Sequence, residues 1–182
     1  PVRFVHTGHG FDLSLVNENV GKNVLRNMHI QGIDPTFPPE GYVDLSQGAG
    51  IRVNRAYDNA WENVYVSGFK YGIWLRTGFN NKCVGFCGFV GNQYGVYIDG
   101  GATNLNKFDG AKIRLNRKAG VVIDGGNTGP YPTMNTFIGA YIETNVPYNG
   151  DYLPPPLDGS HSVGVRLNRT YDNDFTGVYF EN

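Results

Sequence analysis

The sequence predicts an all-β chain folded as a right-handed parallel β-helix, a solenoid of about six coils of 22–25 residues. Two short blocks of residues alternate along the chain, and the distance between their copies is nearly constant: from Asn59 to Asn81 it is 22 residues, and from Asn81 to Asn106 it is 25. A repeat of this period built from short β-rich segments is typical of a solenoid, in which each coil packs against its neighbours. The sequence lacks the consensus and the helix of leucine-rich repeats, which share this period.

The first block begins with Asn, carries an apolar residue two positions later and has Asn or Gly two positions after that. Its six copies begin at Asn23, Asn59, Asn81, Asn106, Asn135 and Asn173. Because strand neighbours face opposite ways, the apolar residues at the third, sixth and eighth positions should point into the lumen of the coil. The third and sixth positions can face the same way only if the strand bends between them. The bend is predicted at Asn27, Asn63, Gly85, Gly110, Gly139 and Gly177. Asn and Gly tolerate left-handed backbone angles. The leading Asn side chains should stack as a ladder, each amide bonding to the next coil.

The second block reads Gly, apolar, any residue, apolar. Its copies begin at Gly10, Gly50, Gly72, Gly95, Gly120 and Gly164. The apolar pairs should fill the lumen; they are Ile51 with Val53, Ile73 with Leu75, Val96 with Ile98, Val121 with Ile123, and Val165 with Leu167. Two connections between the blocks are long, at about 33–48 and 145–161, and both are rich in Pro. They are predicted to be stiff walls at the ends of a groove over the sheets.

Matching outward positions in successive coils should form ladders about 4.8 Å apart. On the Gly-block strands the ladders are Asp12-Arg52-Trp74-Tyr97-Val122-Arg166 and Ser14-Asn54-Arg76-Asp99-Asp124-Asn168. On the Asn-block strands they are His29-Tyr65-Cys87-Lys112-Tyr141-Tyr179 and Gln31-Ser67-Phe89-Arg114-Glu143-Glu181. These faces are rich in aromatic and Arg side chains, which suit contact with sugars: rings stack on C–H faces, and Asn, Asp and Arg bond hydroxyls. The same side chains also suit an interface between chains or a plain covering of the sheet. The candidate substrate-binding residues are Trp74, Arg76, Tyr97, Tyr141, Tyr179, Arg114 and Tyr152.

Stacked carboxylates are the sharpest chemical feature of the sequence. Asp99 should lie over Asp124, and Glu143 over Glu181. Carboxylates so close repel, which raises one pKa and suits a general acid, and glycoside hydrolysis needs such a pair. These four are the candidate catalytic residues. Both Asp residues also precede Gly-Gly, where Asp commonly caps a turn, and Glu143 has Arg114 as a salt-bridge partner. A lyase would need a basic residue such as Lys112, Arg114 or Arg76.

Composition limits the partners. The formal net charge is −1, so no basic field indicates nucleic acid, and no apolar run is long enough to span a bilayer. Cys83 and Cys87 match no zinc spacing, and we expect two free thiols, one of them buried. Neither a metal nor a cofactor is predicted. Residues 1–182 are expected to form a single domain, a fragment of a longer chain.

Two segments of the last coils share the phrase Phe-x-Gly-x-Tyr-x-Glu: Asn135 to Asn145, and Asn173 to Asn182, with Gly164-Val-Arg-Leu between them. In these motifs the chain resembles phage tailspikes and capsule depolymerases with a pectate-lyase-like β-helix. The resemblance covers residues 10–182 as architecture. It implies a homotrimeric virion protein of the phage tail, acting outside the host cell, that binds and often cleaves bacterial capsule or O-antigen. The expected activity is that of an endoglycosidase. A receptor-binding module without catalysis, a structural tail component and a secreted polysaccharide lyase are the alternatives.

Overall fold

The computed structural model describes residues 2–3, 10–14, 20–32, 46–127, 129–143 and 163–181. Throughout these residues the regular structure is β, and no helix long and apolar enough to cross a membrane occurs in them. The strands are β1 (Val2–Arg3), β2 (Phe11–Ser14), β3 (Val20–Gly21), β4 (Val24–Gln31), β5 (Ser46–Asn54), β6 (Ala56–Tyr57), β7 (Ala60–Ser67), β8 (Phe69–Arg76), β9 (Lys82–Val84), β10 (Gly88–Val90), β11 (Tyr94–Asp99), β12 (Lys107–Asp109), β13 (Lys112–Arg114), β14 (Ala119–Asp124), β15 (Thr136–Ile138), β16 (Tyr141–Glu143), β17 (Val163–Asn168), β18 (Asp174–Thr176) and β19 (Tyr179–Glu181).

All strand pairs among the described residues are parallel, and each strand pairs with its counterparts one coil away. The Gly-block strands form one sheet in the order β17-β14-β11-β8-β5-β2. The Asn-block strands form a second sheet, in which β7 pairs with both β9 and β10 because later coils divide this block into two short strands. The all-β prediction is confirmed, and these curled parallel sheets are consistent with a β-solenoid.

The predicted bend divides each Asn block. Backbone φ is positive at all six predicted positions, from 52° at Asn27 and Asn63 to 73° at Gly85. Asn63 also links neighbouring bends: its Nδ2 donates to Asn27 Oδ1 over 3.1 Å, and its Oδ1 accepts from Phe86 N over 3.1 Å. The bend explains how apolar residues on both sides of it reach the same lumen.

The leading Asn residues form the predicted ladder from Asn23 to Asn173. In the middle of the stack, Asn81 N and Nδ2 both donate to Asn106 Oδ1, over 3.1 and 2.9 Å. Asn106 N and Nδ2 donate in the same way to Asn135 Oδ1, over 3.3 and 2.8 Å. Each buried amide therefore closes two bonds to the next coil, which satisfies polar groups that could not otherwise be buried without cost.

The lumen is apolar. An aromatic stack runs through it: the ring centroids of Phe108 and Phe137 are 4.8 Å apart, as are those of Phe137 and Phe175, and the ring planes of each pair are nearly parallel. Four of the predicted Gly-block pairs are fully buried, whereas Leu167 in the last described coil is 50% exposed. Each large side chain so buried contributes about 1.5–3 kcal/mol.

The Gly residues of the second block line up in neighbouring layers. A Cβ built on Gly72 would lie 2.5 Å from Gly95 O, and one on Gly95 would lie 2.7 Å from Gly120 O. Because those atoms belong to the backbone of the adjacent coil, a side chain at this position would force the coils apart. This close approach explains why these copies of the second block begin with Gly.

The expectations at the third complete coil are wrong in two respects. Gly85 and Phe86 widen the bend by one residue, so Cys87 and Phe89 enter the lumen while Phe86 is 45% exposed. Gly88, and not Cys87, is level with Tyr65 and Lys112, and Val90, not Phe89, is level with Arg114. Cys83 and Cys87 are also not free thiols: both are buried and joined by a disulfide, because the widened bend turns both side chains inward.

Leu105 occupies a turn position that disfavours it. Its φ is 58° and its side chain is 52% exposed, so little burial compensates for a left-handed backbone. We expect Leu105→Gly to raise the free energy of unfolding by about 1 kcal/mol, since Gly adopts this φ without steric cost. Leu105→Ala keeps the Cβ and should give no such gain. Urea unfolding of both variants checks this, and equal stability of the two would contradict it.

Candidate functional site

Four aromatic rings lie together on the outer face of the Gly-block sheet. Tyr97 is level with Trp74, and Tyr94 is level with Tyr71. The ring of Tyr71 lies 5.1 Å from Trp74, 5.5 Å from Tyr94 and 4.8 Å from Tyr97, and Tyr94 lies 5.4 Å from Tyr97. We call Tyr71, Trp74, Tyr94 and Tyr97 the aromatic cluster.

Strand pairing places these rings. The predicted register of both ladders on this sheet is present, from Asp12 to Arg166 and from Ser14 to Asn168. The expectation of an exposed rung is wrong at Val122, which is fully buried. Tyr71 and Tyr94 were not predicted to be site residues. Strand alternation counts Tyr71 with the inward-facing Ile73 and Tyr94 with the inward-facing Val96, so counting along the repeat does not place these two rings among the outward side chains.

The rings of the cluster are half-buried, and burial affects the ionisation of their Tyr hydroxyls. Burial raises the pKa of Tyr97 to about 12, and the nearby Asp124 carboxylate adds to this effect. Burial also raises the pKa of Tyr71. Both hydroxyls therefore stay protonated near neutral pH and remain able to donate hydrogen bonds at the edge of an apolar surface.

Asp99 is held at one end of the cluster by Trp74, whose Nε1 donates to Asp99 Oδ1 over 2.9 Å. Burial raises the pKa of Asp99, while the Trp74 hydrogen bond and the charge of Arg76 act in the opposite direction. A half-buried carboxyl of raised pKa is a candidate general acid. Among the described residues, no turn N–H donates to this carboxylate.

Asp124 is level with Asp99 on the next strand, as predicted. Its Oδ1 accepts from Gly126 N over 2.9 Å and from Asn168 Nδ2 over 3.0 Å. The first bond is the turn cap that the following Gly-Gly indicated. The two Asp residues therefore have different partners: Asp124 holds a turn, while Asp99 faces the aromatic cluster.

A second group of predicted residues lies on the Asn-block sheet. The rings of Tyr141 and Tyr179 stack 4.6 Å apart, and Glu143 is level with both Arg114 and Glu181. Arg114 Nη1 lies 3.9 Å from Glu143 Oε2, a long ion pair that agrees with the salt-bridge interpretation. Tyr179 and Glu181 are well exposed.

The candidate residues thus fall into two groups on different sheets. Asp99 and Asp124 lie on the Gly-block sheet, whereas Glu143 and Glu181 lie on the Asn-block sheet. Tyr152, the whole connection 145–161 and residues 33–45 of the other connection lie outside the described residues. The proposed groove walls therefore remain predictions.

Comparison with known proteins adds no relative. No family model matches the chain, and no match was found among curated proteins or solved structures.

Proposed function

We propose that the chain is a phage tailspike-type protein, a right-handed parallel β-helix that binds bacterial surface polysaccharide, capsule or O-antigen, on its outer face. Right-handed crossovers are the rule for parallel strands joined within one sheet system. In this proposal the chain belongs to a homotrimer on the phage tail and acts at the host cell surface.

The aromatic cluster is the observation that carries this proposal. Its four rings cover parts of two neighbouring strands, and the polar atoms around them belong to Asp99, Arg76 and the Tyr hydroxyls. A sugar ring has an apolar C–H face and a rim of hydroxyls, so this combination of flat rings and edge donors suits it. The rigid backbone of stacked strands lowers the entropy lost on binding.

Hydrolysis of the bound polymer is a second candidate, favoured by the environment of Asp99. Its raised pKa suits protonation of the glycosidic oxygen, while a second carboxylate activates water or attacks the sugar. Asp124 is the nearest carboxylate in the strand register, and Glu143 with Glu181 form the alternative pair. Binding without cleavage is the corresponding alternative function.

We expect Trp74→Ala to weaken polysaccharide binding about 30-fold, the effect of losing roughly 2 kcal/mol at a central contact. Binding is measured on a panel of bacterial capsular and O-antigen polysaccharides, and release of oligosaccharides from the same panel tests hydrolysis. Tyr171→Ala is the control, because Tyr171 is 55% exposed but lies at a turn away from the cluster.

The structural alternative, in which the cluster packs between chains, predicts a different result for the same variant. Sedimentation would then show that Trp74→Ala dissociates the oligomer, and polymer binding by the wild-type chain would be absent. Failure of every panel member to bind the wild-type chain would overturn the proposed function.

A further inference from the structure

Cationic side chains surround the aromatic cluster. Arg52 and Arg76 lie over the ring of Trp74, with guanidinium-to-centroid distances of 5.3 and 5.9 Å. Lys70 lies 5.3 Å from the ring of Tyr71, and Lys118 lies 6.0 Å from that of Tyr94. Four of the five cation–ring contacts found among the described residues therefore belong to this one surface, so the cations are positioned by the rings that a ligand would touch.

The carboxylates near the cluster already have protein partners. Asp12 Oδ2 pairs with Arg52 over 3.3 Å, Asp99 accepts from Trp74, and Asp124 accepts from Gly126 and Asn168. Each of these carboxylates is therefore already engaged by a donor of the protein.

Arg76 and Lys118 are in the opposite situation. Both side chains are exposed, and neither lies within ion-pair distance of a carboxylate that the structure describes, although the charge of Arg76 lowers the pKa of its neighbour Asp99. Each is held over a ring by a contact worth only about 0.5–1 kcal/mol at an exposed site, so it can turn toward an anion without losing much. A ligand on this surface therefore meets flat rings together with available positive charge.

The two cations lie at opposite corners of the cluster. Arg76 ends β8, and Lys118 directly precedes β14, two strands further along the sheet. With strands about 4.8 Å apart and about 3.3 Å per residue along a strand, the two positions are roughly 20 Å apart. Only an extended ligand that crosses the strands diagonally reaches both.

We propose that the aromatic cluster selects acidic polysaccharides, with carboxylates of two sugar residues of one chain bound by Arg76 and Lys118. This inference rests on the proposed polysaccharide-binding function. Arg76 offers a planar fork that matches a carboxylate, and Lys118 offers a point charge that tolerates several orientations. The rings between them hold the intervening sugars.

The test compares native polymers with their carboxyl-reduced forms, in which each uronate becomes a neutral sugar on the same backbone. The panel of bacterial polysaccharides is used in both forms with the full chain. For the acidic polymers that bind, we expect carboxyl reduction to weaken binding about tenfold, and the Arg76→Gln, Lys118→Gln double variant to do the same. Reduction should have no further effect on the double variant. Lys82→Gln is the charge-matched control, since Lys82 is exposed on the Asn-block sheet.

The outcomes separate this inference from the function on which it rests. Binding of neutral polymers only, or equal binding of native and reduced polymers with Trp74→Ala still weakening both, overturns the acidic preference and leaves polysaccharide binding in place. Loss of binding in Lys82→Gln equal to that of the double variant shows a general charge effect and also overturns it. Absence of binding to any polymer removes both proposals.

Discussion

Replacing Asn106 by Ala is expected to lower the free energy of unfolding by about 4 kcal/mol. The Asn106 Oδ1 atom accepts from both Asn81 N and Asn81 Nδ2, and all three atoms are buried. Asn106 Nδ2 donates to Asn135 Oδ1 and to Gly78 O, the latter over 3.1 Å. The substitution leaves buried Asn81 N without an acceptor and leaves Asn81 Nδ2 with only a 3.5 Å bond to Ala56 O. Asn135 Oδ1 and Gly78 O each lose one donor and keep another. An unsatisfied buried group costs about 1–3 kcal/mol, and each lost hydrogen bond costs about 1 kcal/mol.

Urea unfolding followed by far-UV circular dichroism measures this loss. Asn104→Ala is the matched control, because Asn104 lies two residues earlier in the same turn and its Oδ1 accepts a single bond, from Thr133 N over 3.0 Å. We expect the control to lose about 1 kcal/mol. If the two variants lose equal stability, the ladder does not hold the coils together as described. If Asn106→Ala does not fold, Asn23→Ala, at a partly buried rung, gives a smaller and measurable loss.

Much of the fold could be predicted from the sequence because each repeated residue type satisfies one local structural requirement. An Asn at the start of a coil completes the buried ladder, and a Gly or Asn at the bend adopts a left-handed backbone. Because these requirements recur in every coil, they can be inferred from the sequence repeat. The register of the Gly-block sheet followed directly, since side-chain alternation leaves only one choice of inward face.

The coil that begins at Asn81 shows where counting along the repeat fails. One additional residue at the bend shifts Gly88 into the position expected for Cys87, and it buries Phe89 instead of exposing it. Counting from the leading Asn assumes a bend of constant length, and nothing local in Gly85-Phe86-Cys87 gives that length. The disulfide was missed for the same reason, because two Cys side chains reach each other only when both point inward.

The second Asn ladder was missed as well. Asn92 and Asn116 are buried at the next corner, where Asn92 Oδ1 accepts from Phe69 N and Asn116 Oδ1 accepts from Asn92 N, both over 3.1 Å. Among the described residues two Asn side chains form it, in contrast to the six copies of the leading Asn. Its buried amides satisfy backbone N–H groups at the corner between the two sheets.

The sequence predicted which surface carries the candidate site, but not the different hydrogen-bond partners of its two Asp residues. Asp99 and Asp124 are equivalent in the sequence, each followed by Gly-Gly. The turn bond forms at Asp124, whereas Asp99 is drawn to Trp74 Nε1 on the neighbouring strand. That choice depends on which aromatic side chain lies within reach, and this is a property of the assembled sheet.

If the chain hydrolyses its polymer as proposed, Asp99→Asn is expected to lower the rate of hydrolysis about 10³-fold, while polymer binding is retained. An amide has no proton acidic enough to be transferred to the glycosidic oxygen. Its oxygen still accepts from Trp74 Nε1, so the arrangement of the aromatic cluster is kept. Oligosaccharide release from the panel polymers measures the effect. Asp109→Asn, an exposed substitution on the Asn-block sheet, is the control and should leave turnover unchanged. Full turnover in Asp99→Asn would remove Asp99 from the chemistry, and no release by the wild-type chain would favour binding alone.

The same variant should be more stable than the wild-type chain at neutral pH. Because burial raises the pKa of Asp99, the folded chain holds this proton more tightly than the unfolded chain. The resulting stability is complete below the ordinary pKa of Asp and is lost as the pH rises through the raised value. The amide never ionises, so its advantage in thermal unfolding should appear near pH 7 and vanish in acid. A gain that is the same at both pH values would show that packing, and not the cost of a partly buried charge, separates the two proteins. Loss of hydrolysis together with a pH-dependent gain in stability would identify Asp99 as a position where stability is sacrificed for function.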